Sequence, residues 1–329
     1  RVAVSLSLAT AQGSVPLDYR LYLPKEWSED KARRARAGVP EQIAFATKGE
    51  IAWAQIEAAL AAGIPRGTVL MDAGYGDEAA LRDRLLACGL LYAVGIRPAT
   101  TVWWGQYQPA PAPMGHGRGR PRTRVLRDDT HHPIGVLELA RALPASSYRS
   151  VTWREGTNAE LSSRFARVRV RAAQADRSRE QEWLLIEWPK GESEPTRYFL
   201  SSLPANISFK ALVDTVKMRW RIERDYLELK QELGLGHYEG RNWRGFHHHA
   251  SLCIAAYAFL MIERLAGFKK NSTQLKAPAL PGSYLPRGAG ANATPHPLVD
   301  RNHAISSGAD HRQKSFAMPL LRKNQRAKS

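Results

Sequence analysis

Apolar and polar positions along the chain change period several times, and each change marks an element. Residues 1–10, RVAVSLSLAT, alternate, and so do residues 16–24, PLDYRLYLP; with AQGS as the turn between them they predict a β-hairpin. Residues 47–63, TKGEIAWAQIEAALAAG, carry an amphipathic helical period that stops at Gly63. The run Thr68-Val69-Leu70-Met71-Asp72 is apolar until an acid and then glycines stop it, which predicts a buried strand with a carboxylate at its end. A helix over residues 78–88 and a second buried strand over residues 90–96 follow. The charged stretch at residues 27–40 fits either a solvated loop or short helix or a DNA contact.

After Arg97 the pattern shifts. Residues 106–124 are rich in Pro, Gly and Arg, which suits either a surface loop or an extended segment laid along a phosphate backbone. Strand-like runs then recur at residues 148–153, 166–172, 183–187 and 198–203. From Leu212 the positions Leu212, Val216, Trp220, Glu223, Leu227 and Lys230 predict one long helix, ended by Gly234 and Gly236. Residues 250–265 are nearly all apolar and read as a closing core helix; His247, His248 and His249 at its start point in different directions, one buried and two exposed, with no shared metal. After Gly267 the period is lost, which predicts a basic tail without regular structure.

Composition narrows the class. A hydrophobic content of 43% over 329 residues is that of a globular chain with a sizeable core. Cys88 and Cys253 lie in apolar contexts without ligand spacing, so free thiols in a reducing cytoplasm are expected. No apolar run was expected to reach the roughly 20 residues that span a bilayer, so no membrane partner is expected. The net charge of +17 points to a polyanion. Residues 267–329 hold eleven lysines and arginines against Asp300 and Asp310, a net +9, and the remaining +8 still favours DNA.

The candidate chemistry joins two distant elements. Asp72 closes a strand and Glu223 sits on a later helix with Arg219 one turn before it and Lys230 two turns after. Two such acids suit a hard cation, Mg²⁺ or Mn²⁺, which takes oxygen ligands and can hold both oxygens of an in-line phosphoryl displacement. Taken alone, Arg219 and Glu223 read first as a solvated ion pair on a helix surface, and it is Asp72 that shifts the reading. Trp103, Trp104, Trp153, Trp183 and Trp188 can stack on bases or pack in a β layer. A phosphate-cradling glycine loop, a nucleophile elbow and a zinc-type cysteine spacing do not occur in the sequence.

With these residues in place the chain resembles the DDE transposases of bacterial insertion sequences. In the branch with a tyrosine, arginine, glutamate and lysine signature, Arg219, Glu223 and Lys230 fall on the last three positions, while Val216 stands at the tyrosine. The runs GSVPLDYRLYLP, DAGYG and EGRNWRGFHHHASL are most similar to insertion-sequence family seven-oh-one, over roughly residues 1–265. The resemblance implies an α/β fold with an RNase H-like mixed sheet core: residues 1–97 its first part, 98–204 a β-rich insertion that contacts DNA ends, and 205–266 its second part, with 267–329 the tail. It implies metal-dependent cleavage and strand transfer, with two Mg²⁺ or Mn²⁺ ions in the intact enzyme, Asp72 and Glu223 as metal ligands, and Arg219, Arg221 and Lys230 on DNA. The implied partners are double-stranded DNA, as inverted-repeat ends and target, and a second copy in a homodimer, on the bacterial nucleoid in the cytoplasm. In that family a first metal-binding aspartate lies on a strand before the hairpin. Nothing here supplies it, and Asp18, within the second strand, does not replace it. The chain, which opens inside a strand, is therefore expected to be a fragment, inactive as it stands. The alternative is a remnant that binds DNA by charge without catalysis.

Overall fold

The structure, a computed structural model, describes residues 2–105, 107–111, 124–155, 160–174, 178–270 and 314–319. Strands β1 (Ala3–Ala9) and β2 (Ser14–Leu21) form the expected antiparallel hairpin, with Ala3 opposite Leu21 and Ala9 opposite Ser14. The charged stretch after it folds as two short helices, α1 (Lys25–Glu29) and α2 (Lys31–Ala37). Arg34 clamps this unit, donating to the carbonyls of Ser28, Pro40, Glu41 and Ile43, so that guanidinium serves the fold. Helix α3 (Lys48–Ala61) starts at a reciprocal capping box between Thr47 and Glu50. Strand β3 (Thr68–Met71), the single turn α4 (Ala73–Gly76), helix α5 (Ala79–Ala87) and strand β4 (Leu91–Ile96) follow, with β3 and β4 parallel.

The later strands extend this sheet. They are β5 (Thr101–Trp104), β6 (Ile134–Gly135), β7 (Arg149–Glu155), β8 (Glu160–Ala172), β9 (Glu182–Glu187) and β10 (Arg197–Ser201), with helix α6 (Val136–Ala142) after β6. Because β10 pairs antiparallel with β4, and β9 and β8 continue from it, the residues expected as an insertion share the core's hydrogen-bond ladder. Most of the Pro-, Gly- and Arg-rich segment, at 106 and 112–123, lies outside the described residues.

Three helices complete the chain's second face: α7 (Phe209–Lys217), α8 (Trp220–Gln231) and α9 (Trp243–Lys270). The expected single long helix is therefore two, broken at Met218 and Arg219. The apolar period runs across the break, which is why the sequence reads as continuous. Residues Lys314–Pro319, expected within a structureless tail, form β11, parallel to β1 and antiparallel to β3. The physical reason is tertiary: β1 and β3 each present a row of backbone groups that must be paired when buried. The other residues of that tail from 271 on lie outside the described ones. Among the described residues the sheet has 11 strands in the order β2-β1-β11-β3-β4-β10-β9-β8-β5-β6, with β7 on β8. Such a mixed sheet covered by helices is an α/β fold consistent with the RNase H-like class.

Period-two alternation sorts side chains to two cores. Val69, Met71, Val94, Leu184 and Ile186 face α3, α5 and α6, whereas Leu70, Ala93 and Leu185 face α7, α8 and α9. Both faces are buried, which explains the unbroken apolar runs in the sequence. One expectation is corrected here: residues 243–267 of α9 are long and apolar enough, by length and composition, to cross a membrane. Arg244 and the three consecutive histidines near its start, with Glu263 and Arg264 near its end, interrupt the apolar run in the sequence. The histidine triplet also differs from expectation, since His247 and His249 are both half-buried and only His248 is exposed.

His247 ties α9 to the hairpin: its Nε2 accepts from the Leu21 amide at 3.3 Å and its Nδ1 faces the Trp243 carbonyl at 2.9 Å. Burial holds its pKa below the usual histidine value. Folding thus favours the neutral ring, and the unfolded chain binds the proton more readily. The resulting stability is complete above about pH 6.5, the unfolded value, and is lost as pH falls below it. We expect the urea midpoint to drop more steeply on acidification in the parent chain than in His247→Gln; parallel slopes would show that this ring does not carry the effect.

Candidate active site

Asp72 follows directly on β3, whose four residues are all buried, so its carboxylate emerges where the sheet ends. Its Oδ1 accepts from the Gly74 amide at 2.8 Å, capping α4, and this fixes the side chain at the mouth of the sheet. The turn lies against β4 with no side chain between. A Cβ on Gly76 would sit 2.0 Å from the Gly95 carbonyl oxygen, and one on Gly95 would sit 3.0 Å from the Ala73 amide. Arg82, fully buried, donates to the Gly76 carbonyl, and Asp77 accepts from the Arg97 amide at 3.1 Å and the Thr100 hydroxyl at 2.9 Å. The DAGYG run is thus the tight packing of one turn on one strand end.

Arg219 and Glu223 come from the break between α7 and α8. Ser208 caps α7 by accepting from the Ala211 amide, and the chain turns at Met218 before α8 begins at Trp220. Arg219 Nη2 donates to Glu223 Oε1 at 2.6 Å, with the glutamate side chain 64% exposed. Both line the same cleft as Asp72, about 580 Å³ in volume, beneath Met71, Gly95, Arg197 and Tyr198. The structure therefore brings together three of the five residues singled out from sequence. Lys230 lies outside, at the far end of α8, its stem against Gly236. Arg221 is turned to the hairpin, donating to the Ala11 carbonyl at 2.7 Å. Glu228 is also elsewhere, paired with Arg224 at 3.0 Å and accepting from the Tyr257 hydroxyl at 3.2 Å.

Three cleft residues, Trp220, Lys217 and Arg197, were not singled out from sequence as site residues. Trp220 sits three residues before Glu223 and shares its face, a signal that helical spacing already held. Lys217 was hidden by the helix break and Arg197 comes from a strand with no local mark of function, while Trp153, named from sequence as a residue that can stack or pack, also lines the cleft. Lys217 donates to both oxygens of Glu187 at 2.6 Å and lies 4.3 Å from the Trp153 ring. Burial lowers its pKa, and the Glu187 carboxylate works against that shift. Of the five tryptophans considered for stacking, Trp103 and Trp183 are buried, Trp183 and Trp188 donate to the Pro204 and Glu192 carbonyls, and Trp104 is 47% exposed.

In chemical terms the cleft offers the carboxylates of Asp72 and Glu223, the cationic side chains of Arg197, Lys217, Arg219 and Arg224, and aromatic side chains that include Trp153 and Trp220. Oxygen donors of this kind fit Mg²⁺ or Mn²⁺, which one or two carboxylates and substrate phosphates commonly hold. Among the described residues no group of three or more His, Cys, Asp and Glu is placed to hold a metal ion.

Two stability tests follow. Gly76→Ala should cost about 1–3 kcal/mol in a denaturant titration, since backbone opposes the new methyl; an unchanged midpoint would mean the turn is free to move. Lys217→Met should cost roughly 3–5 kcal/mol by stranding Glu187, and Lys217→Met/Glu187→Leu should recover most of it. Failure of the double variant to recover would place the cost in packing around Trp153.

No curated protein matches the chain. Residues 1–160 match the family described as DDE superfamily endonuclease, a stretch that includes β3 and Asp72 and ends before Glu223.

Proposed function

We propose that the chain is a transposase of the DDE type, which cleaves DNA at the ends of an insertion sequence and transfers the strand to a target. The observation that carries this reading is that Asp72, from the matched part of the chain, and Glu223, from beyond it, line one cleft together with Arg219. Asp72 and Glu223 would hold the divalent cation. When bound there, the cation supplies charge neutralisation for the phosphodiester and a nucleophile at neutral pH. Arg219 sits beside Glu223 and can exchange that partner for a phosphate oxygen when DNA enters. Arg197 adds a second cation at the rim, and Trp153 and Trp220 narrow the space open to water. Catalysis by such a site is positioning plus electrostatic stabilisation, with no covalent protein intermediate. The protein then belongs with DNA in the cytoplasm, on the nucleoid, and the net charge of +17 supports that partner.

A second reading, a DNA-binding chain without catalysis, is favoured by one observation: the described part of the cleft contributes two acids. Nicking of supercoiled plasmid in Mn²⁺ separates the two. On the catalytic reading, Asp72→Ala and Glu223→Gln each lose about 100-fold or more, several kcal/mol of transition-state stabilisation, while Lys230→Ala stays near the parent rate. Nicking that persists in both acid variants, or is absent from the parent under all conditions, would leave the binding reading.

A further inference from the structure

The end of the hairpin, the pair α1 and α2, and the start of α9 enclose a second cavity of about 590 Å³ that the cleft chemistry does not use. Its wall is aromatic, with Tyr22, Trp27, Tyr238, Trp243 and Phe246 along it. The rings are held in place from behind. Tyr238 donates to the Asn242 carbonyl at 3.1 Å and stacks on His249 with ring centres 5.5 Å apart. Nothing larger than glycine fits beside it, since a Cβ on Gly240 or Gly245 would lie 2.5 Å from its hydroxyl oxygen. Trp243, buried, packs 4.3 Å from the His247 ring, which is itself tied to the hairpin. Rings ordered before a ligand arrives lose little entropy when it binds. This packing accounts for the glycines and aromatics of the run EGRNWRGFHHHASL, which the cleft leaves unexplained.

Cations surround the cavity. Lys31, Arg33 and Arg36 are exposed on α2, whose last residue, Ala37, lines it, and Arg241 is exposed in its wall. Two cations already lie against the rings, Arg33 at 5.9 Å from the centre of Trp27 and Lys48 at 5.2 Å from that of Tyr22. Aromatic faces among cations suit a base and its phosphates, whereas an apolar peptide or a lipid tail gains nothing from the charge. Position agrees with this. Strand β1 runs antiparallel to β3 across β11, and β2 runs antiparallel to β1, so β2 leaves the sheet at the end where Asp72 emerges. Three strand spacings separate them, about 14 Å, or about four steps of a stacked DNA strand at roughly 3.4 Å each. We propose that the cavity is a nucleobase pocket, taking one unpaired base of a DNA strand that runs along the basic rim, several nucleotides from a phosphate held at Asp72. A base inside a stacked duplex cannot enter, so the pocket selects frayed or single-stranded DNA. It presumes DNA as the substrate, as proposed above, and is independent of cleavage.

The test is binding by the full chain without a metal ion, read as fluorescence anisotropy of three labelled probes: a mixed-sequence single strand, an abasic strand of the same length, and a blunt duplex. Trp27, 36% exposed on α1, can be replaced with little effect on the fold. Trp27→Ala should weaken binding of the single strand about tenfold and of the abasic strand and the duplex less than about twofold, because only a stacked base is lost. Trp27→Phe keeps a ring and should recover most of the affinity, a rescue that a merely structural role does not produce. Arg241→Ala should weaken all three probes alike and lower the salt dependence by about one phosphate contact. A parent that binds the single strand no better than the abasic one, equal losses on all probes in Trp27→Ala, or no recovery in Trp27→Phe would each overturn the pocket. Nicking in Mn²⁺ is read separately. A chain that nicks without any dependence of strand binding on Trp27 loses the pocket and keeps the cleavage reading, and one that shows the dependence but does not nick does the reverse.

Discussion

The α4 turn rests on the end of β4 with backbone against backbone, and the position of Asp72 is a consequence of that contact. Gly76 and Gly95 leave no Cβ between the two segments, while Arg82 from below and Asp77 from the side hold the turn through its own polar groups. A carboxylate at a strand end has freedom to rotate and to fray. Here that freedom is removed twice, by the cap to Gly74 and by the closure of the turn behind it. An acid held in this way can meet a ligand without first paying the entropy of being ordered.

The second half of the cleft is built on a discontinuity. If α7 and α8 were one straight helix, Lys217 and Glu223 would point in different directions, six residues and about 120° apart around its surface. The turn at Met218 and Arg219 lets Lys217 reach inward to Glu187 while Arg219 and Glu223 stay at the cleft edge. The buried pair fixes the end of α7, and hence the point from which α8 departs. A pair of this kind is weak as a source of stability and strong as a constraint on geometry, because moving either charge strands the other. Trp153 and Phe165 complete the lysine's surroundings, so strands β7 and β8 are coupled to the cleft through the same side chain.

Length of sheet is what carries the distal strands into the site. Because β10 pairs directly with β4, Arg197 begins its strand beside the end at which Asp72 emerges. The helices on the other side of the sheet turn α9 outward along much of its length. One of its faces closes the hairpin, and the other, with Leu252, Phe259, Leu260 and Ile262, is exposed. The same chain thus spends its apolar content both inside and at its surface, which is why its hydropathy resembles a core helix and its exposure does not.

Local pattern was enough for the hairpin, α3, and the strands β3 and β4, because in each the period or the stop signal acts over a few residues. It was enough also for Asp72 at a strand end and for Glu223 one turn from Arg219, since strand termination and helical spacing are local geometry. The break inside residues 209–231 was not legible: apolar spacing continues through it, and only packing against β4 and β7 decides where the axis bends. Nor were Lys217, Arg197 and Trp153, whose place in the cleft depends on strand order, a property of pairings between residues far apart in the chain. Arg221 and Lys230 show the converse, since both ride the expected helix yet face away from the cleft, towards the hairpin and solvent. Sequence determined which residues could act; the stacking of helices on the extended sheet decided which of them meet, because a helix exposes every azimuth and tertiary contact chooses one.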